Sequence, residues 1–196
     1  MPTDLEAPKT IIARYAITPK PNGGPVTFIL RPDALEIDNL RHVTSIPLSA
    51  ISRVRLTFKA RNSLIGAYRT RLTIEGQKPV SFDNYSWRSL MNQQNERDAY
   101  RAFLAALLPE IARANPSCPF EAGQPAWIWV FSALVAAAIV IGFAYACFQV
   151  FPKLSAGLAL ALTAFSTVFL WIAGNLAIRN RPRRFAPDNP PPDLLP

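Results

Sequence analysis

Five cations recur in the stretch RVRLTFKARNSLIGAYRTRLTI, residues 53–74: Arg53, Arg55 and Lys59, then Arg69 and Arg71. Val54, Leu56, Phe58, Leu72 and Ile74 are interleaved with them. Successive side chains of a strand point to opposite faces, so the pattern predicts a hairpin with one basic face and one apolar face. Like charges opposed across a strand pair repel by tenths to about one kcal/mol, and an acidic partner relieves that cost. The basic face is therefore the candidate binding surface, for anionic lipid headgroups or an acidic protein. Nothing comparable supports catalysis. His42 is the only histidine and falls beside a predicted hairpin turn; Glu36 and Asp38 stand two apart, as residues on one outer strand face do. No HExxH, CxxC, GxSxG or GxxxxGKS/T pattern occurs. No catalytic residue, metal ligand or cofactor is expected, and the chain reads as a non-enzyme.

Short strands position that face. KTIIARYAI (9–17) and PVTFILR (25–31) flank the turn-rich TPKPNGG, and ALEID (34–38) and HVTSIPL (42–48) are close enough to form a hairpin. The two basic strands follow, at about 51–60 and 67–75, and GQKP turns the chain into VSFDNYS. Seven strands joined by short loops predict a meandering antiparallel sheet that has to hide one side. Its cover is legible in NERDAYRAFLAALLPEIARA, where Tyr100, Phe103, Leu104, Leu107, Leu108 and Ile111 form one helical stripe. Asn95 is placed to cap this helix, and Pro109 to kink or end it near its last turn. Tyr85 and Trp87, past the last strand, could line a ligand groove, but are expected to plug the end of a small barrel under the helix.

The remainder is different in kind. Residues 126–149 and 154–178 carry no charge, and each run exceeds the roughly 20 residues that cross a bilayer as a helix. Half of the composition is hydrophobic and the mean hydropathy is +0.13, too apolar for an ordinary soluble domain of 196 residues. Two transmembrane helices are expected. Ala133, Ala137, Gly142 and Ala146 on the first, with Gly157, Ala161, Ala164 and Gly174 on the second, suit a tightly packed hairpin. Only Lys153 lies between the spans, whereas Arg179, Arg181, Arg183 and Arg184 follow the second, so both termini are expected to be cytoplasmic. Trp127, Trp129 and Trp171 then anchor at that interface.

The start, MPTDLEAPKT, lacks the basic and apolar stretches of a signal peptide, and the first domain is expected to stay where it is made. The net charge is +8, of which residues 1–125 hold 16 Lys and Arg against 11 Asp and Glu. The positive-inside bias accounts for much of the rest, which argues against nucleic acid. Cys118 and Cys147 are too far apart for a disulfide and read as free thiols. Residues 115–125 read as a proline-rich linker, and 179–196 as a basic, then proline-rich, disordered tail.

Strand after strand followed by one amphipathic helix resembles the pleckstrin-homology superfold. The likeness is carried by FILRPDALEID, IPLSAISRVRLTF, RTRLTIEGQKPVSFD and the AYRAFLAALL helix. It is similar to the bacterial PH-like domains joined to a transmembrane hairpin in uncharacterised membrane proteins. The resemblance implies an α+β protein: a small antiparallel PH-like β-barrel or sandwich over residues 8–114, capped by its C-terminal helix, on a two-helix hairpin in the bacterial inner membrane. It also implies an adaptor or assembly protein, and a homo-oligomer is compatible with it. The alternative is an accessory subunit whose hairpin docks into a larger membrane complex.

Overall fold

The computed structural model describes residues 10–21, 23–62, 65–89, 92–150 and 155–196. Residues 8 and 9 of the expected domain, Asn22 of its first turn, and the inter-helix stretch with Lys153 lie outside them, as does the side chain of Cys147. The chain is α+β and divides into two compact units. One comprises the described residues up to Ala122 together with Arg184–Pro196; the other is Gly123–Arg183.

In the first unit the seven expected strands form in order. β1 (Ala13–Ile17), β2 (Val26–Leu30), β3 (Ala34–Asp38) and β4 (Val43–Pro47) make a four-stranded antiparallel meander. A 3-10 turn at Leu48–Ala50 leads into β5 (Ile51–Asn62), β6 (Ile65–Ile74) and β7 (Val80–Asp83), which pair antiparallel in a second sheet. β8 (Tyr85–Trp87) and β9 (Gln93–Asn95) form a separate small hairpin. The two main sheets do not close into a barrel. β4 and β5 are not partners, and the β1 end meets β8 instead, where the Trp87 amide donates to the Thr18 carbonyl at 3.0 Å.

β5 carries a bulge between Ile51 and Arg53. It adds one residue and so resets the alternation, which lets Ile51 enter the core alongside Val54 and Leu56. The core lies between the sheets and α1 (Arg97–Ala114). All six residues of the expected helical stripe are buried. Tyr15, Phe28, Phe82, Tyr100 and Phe103 form an aromatic cluster with ring centroids 4.8–6.4 Å apart. Pro109 lies inside α1, which continues one further turn to Ala114. Burial of Leu108 and Ile111 on either side of it outweighs the one lost backbone hydrogen bond. The N-cap is Glu96, which makes no side-chain cap bond; Asn95 is instead the last residue of β9.

Two expectations about the connecting segments fail. Residues 115–125 are not merely a linker: Phe120–Ala122 form β10, which pairs parallel with β5. The alternation Phe120–Glu121–Ala122 makes this possible, because Phe120 and Ala122 are buried while Glu121 points outward. The tail is not disordered. Arg183–Arg184 form the short edge strand β11 beside β10, the Phe185 ring meets that of Phe120 edge-on at 5.8 Å, and Leu194 is fully buried in the core. The reason is compositional: Leu194 and Leu195 end a proline-rich run whose chain entropy is already low.

The second unit holds α2 (Ala126–Val150) and α3 (Ala156–Arg179), each long and apolar enough to cross a membrane. Their flanks are exposed: Phe131, Leu134, Leu160 and Phe165 are each more than 60% accessible. The hairpin is joined at its base, where the Gln124 amide donates to the Asn180 carbonyl and Trp129 Nε1 to the Ala177 carbonyl, both at 2.9 Å. Gly123, at φ +81°, makes that close approach possible. The expected stripe of small residues does not mediate it: a side chain at Gly142, Gly157 or Gly174 would meet nothing within 4 Å, and Ala133, Ala137, Ala161 and Ala164 are exposed. The side chain of Ala146 is not described.

Candidate functional site

The second sheet runs in the order β11-β10-β5-β6-β7, and its outer face carries the five predicted cations. The register arranges them in rows. Glu121, Arg55, Arg71 and Ser81 face one another across β10, β5, β6 and β7. Thr57, Arg69 and Asp83 form the next row, and Lys59 the one beyond. Arg53 lies opposite Thr73 on the other side.

Two carboxylates that the sequence did not single out divide this face. Glu121 takes the Arg55 guanidinium and lies 3.8 Å from Arg53 Nε. Asp83 holds Arg69 in a two-pronged contact, Nε to Oδ1 at 2.5 Å and Nη2 to Oδ2 at 2.6 Å, which raises the Arg69 pKa. Arg53 and Arg55 share Glu121 and Arg69 pairs with Asp83, so five cations meet two carboxylates on this face, and Lys59 lies beside Arg69. The Lys59 ammonium reflects this imbalance. Its pKa is lowered by burial of its stem and by repulsion from Arg69 and Arg71, against the pull of Asp83. Arg71 is exposed, directly opposite Arg55.

Asp83 is itself held from below. The Tyr15 hydroxyl donates to its carbonyl at 2.7 Å, and the neighbouring Asn84 is wholly buried and saturated. Asn84 Oδ1 accepts from the Tyr68 amide at 2.8 Å, its Nδ2 donates to Asn95 Oδ1 at 2.7 Å, and its carbonyl accepts from the Glu96 amide at 2.8 Å. One residue therefore ties β6, β9 and the start of α1 together. Beneath the sheet, Thr70 and Tyr100 share a buried hydrogen bond of 2.7 Å, and burial pushes the phenols of Tyr100 and Tyr15 well above their ordinary range. These groups are structural and do not reach the outer face.

The other polar candidates are placed apart from one another. His42 is exposed and accepts from Asn39 Nδ2 at 3.2 Å. Glu36 pairs with Arg31 at 2.7 Å, while Asp38 Oδ1 accepts from the Leu40 amide in the turn where Leu40 has φ +67°. Tyr85 is buried and Trp87 half-buried in β8. Cys118 is a free, buried thiol whose pKa is raised by desolvation. An open polar depression of about 510 Å³ runs along Gln94–Ala99, lined by that one segment without converging side chains from elsewhere. Among the described residues no three His, Cys, Asp or Glu side chains are grouped to hold a metal.

The expected interface anchors differ in their surroundings. Trp127 and Trp171 are exposed, whereas the Trp129 indole is committed to the hairpin base. Arg179 ends α3, Arg181 is exposed, and Arg183 and Arg184 lie in β11. No family model, curated protein or solved structure matches the chain.

Proposed function

We propose that the chain is a non-enzymatic adaptor or assembly protein of the bacterial inner membrane. In this reading a PH-like binding domain is held at the cytoplasmic surface by the α2–α3 hairpin, and Lys59, Arg69 and Arg71 meet anionic lipid headgroups there. The succession of seven antiparallel strands and one amphipathic helix supports the PH-like reading. Chain order supports the topology: α2 follows directly from β10, and α3 leads directly into β11 of the same sheet. Both inner ends of the hairpin therefore belong on the side that holds the folded unit, the side that the arginines at 179, 181, 183 and 184 select.

The observation that carries the binding assignment is the excess of cations on this face: Arg53, Arg55, Lys59, Arg69 and Arg71 against the carboxylates of Glu121 and Asp83. Each basic side chain near an anionic surface contributes roughly 1 kcal/mol. A tethered domain needs little intrinsic affinity, because its contact with the bilayer is effectively intramolecular. The test uses the full chain in nanodiscs with an environment-sensitive fluorophore at Ser81. Phosphatidylserine should shift the emission to the blue relative to phosphatidylcholine alone, and salt should reverse the shift. Lys59→Glu with Arg71→Glu should abolish it, whereas Arg55→Glu, which acts at the Glu121 end, should weaken it less. Emission indifferent to lipid charge and to both variants rejects the assignment.

The second reading, an accessory subunit of a larger membrane complex, is favoured by the open space beside Gly142, Gly157 and Gly174, where another helix could approach closely. Recovery of a stoichiometric integral membrane partner in mild detergent, lost on Gly157→Leu, would favour it over the adaptor.

A further inference from the structure

Two guanidiniums converge on one oxygen of Glu121. Its Oε2 takes the Arg55 guanidinium and lies 3.8 Å from Arg53 Nε. Alternation along β10 delivers this carboxylate: Phe120 and Ala122 turn into the core, so Glu121 is the one residue of the three that looks out over the face. The parallel pairing sets it opposite Arg55, and the Val54 amide fastens the entry to β10 by donating to the Pro119 carbonyl at 3.1 Å. A carboxylate oxygen held between guanidiniums fills the place of an external anion, since arginine recognises carboxylate and phosphate oxygens through the same donors.

Among the described residues this carboxylate contacts no donor besides Arg53 and Arg55. The Glu121 side chain is 22% accessible and that of Arg53 50%, so an anion can approach from solvent. Asp83, the other acid of the face, is fixed more firmly, gripped at both oxygens by Arg69 and held through its carbonyl by Tyr15. Rotation of the Glu121 side chain moves its carboxylate while the backbone pairing of β10 stays in place. If another anion arrives as it leaves, Arg55 keeps a charged acceptor throughout, and the large cost of leaving a shielded guanidinium unpaired does not arise.

We propose that Glu121 is an internal competitor, whose carboxylate fills an anion site made by Arg53 and Arg55 until the phosphate of an anionic lipid headgroup displaces it. This competition, which rests on the lipid-binding reading of the basic face, sets how strongly that face docks. Lys59 and Arg71 attract the bilayer from the start, and Arg53 and Arg55 join them only when Glu121 turns aside.

The full chain in nanodiscs, with the fluorophore at Ser81, tests it. In phosphatidylserine discs Glu121→Gln should raise the ratio of blue-shifted to unshifted emission on the order of fivefold, the effect of about one further basic side chain at an anionic surface. Asp33→Asn, which removes the same charge from the exposed β2–β3 turn of the other sheet, should stay close to the parent. Arg55→Lys, which keeps the charge and loses the forked donors, should change the parent little and cancel most of the gain in the Glu121→Gln chain. Inorganic phosphate added to phosphatidylcholine discs at constant ionic strength should leave the emission unshifted.

A parent that responds to phosphatidylserine, with Glu121→Gln no bluer than Asp33→Asn, overturns the competition alone, and the reading of the face stands. If neither the parent nor Glu121→Gln responds, that reading is rejected and the competition with it. A gain that survives Arg55→Lys overturns the site, because the field of the face then accounts for it. A shift produced by free phosphate overturns the headgroup as occupant. Should Glu121→Gln lose its native circular dichroism spectrum, Glu121→Ala decides by the same comparisons.

Discussion

Glu121 and Arg55 face each other across the parallel pair β10–β5 and form an ion pair, so the segment that leads into α2 neutralises the centre of the basic sheet. The Arg55 guanidinium is thereby paired, while Lys59 and the exposed Arg71 remain as excess charge on the same face. Four expectations follow from such pairings.

The Arg55–Glu121 contact is largely shielded, with side-chain accessibilities of 15% and 22%. Glu121→Gln should cost about 1–2 kcal/mol, since it leaves a shielded guanidinium short of its charged acceptor. The double variant with Arg55→Met should cost less than the sum of the two single changes. Thermal unfolding of the four chains in one detergent measures the coupling, and strict additivity would contradict the pairing.

Asn84 is fully buried, and its amide oxygen, amide nitrogen and both backbone groups each find a partner within the fold. Asn84→Leu should cost roughly 2–4 kcal/mol, because the Tyr68 amide and Asn95 Oδ1 lose buried partners while a branched side chain is forced in. Hydrogen exchange should quicken first at Tyr68 and at the start of α1. A uniform change across the domain would mean that Asn84 is not the tie between them.

Lys59 titrates below the ordinary lysine value of 10.5 because of burial first, then Arg69 and Arg71, with Asp83 opposing. Between the lowered value and 10.5 the unfolded chain binds more protons than the native one, so this group makes stability rise with pH across that window. The effect is small, since Lys59 is exposed, and Lys59→Met should remove it from the slope of stability against pH. A bound anion acts in the opposite sense: it favours the ammonium, so binding is strongest below the window and weakens as pH climbs through it. Binding that strengthens with pH there would exclude Lys59 from the contact.

Gly123 occupies φ +81°, and a Cβ there would collide with the carbonyls of Arg181 and Asn180. Gly123→Ala should destabilise the hairpin base by about 2–3 kcal/mol, through backbone strain together with the displaced contact. Gly76, at φ +67° in an open turn with nothing within 4 Å of its absent side chain, should tolerate alanine at about 1 kcal/mol. Midpoints of thermal unfolding for the two variants provide the comparison; similar losses would show that the crossing itself is unimportant.

Much of the fold was legible because it rests on local periodicity. The alternation in β5 and β6 and the 3.6-residue stripe of α1 are written into neighbouring residues, and the structure buries the residues they mark, Phe58 only partly. The basic face was half legible. Its cations lie within one hairpin, but their counter-charges do not: Glu121 is 66 residues from Arg55, in a stretch whose prolines suggested a linker. The only local signal was the apolar–acidic–apolar run Phe120–Glu121–Ala122, too short to read as a strand without its partner.

By itself the sequence determined the elements whose driving force is composition or period: the seven strands, the covering helix, and two uncharged helices long enough to cross a bilayer. Tertiary structure alone decided which charges are cancelled, that β10 and β11 extend the sheet, and that Leu194 completes the core. Those outcomes depend on contacts between residues far apart in the chain, where the gain from burying one leucine or pairing one carboxylate outweighs the local preference of a proline-rich segment to stay extended.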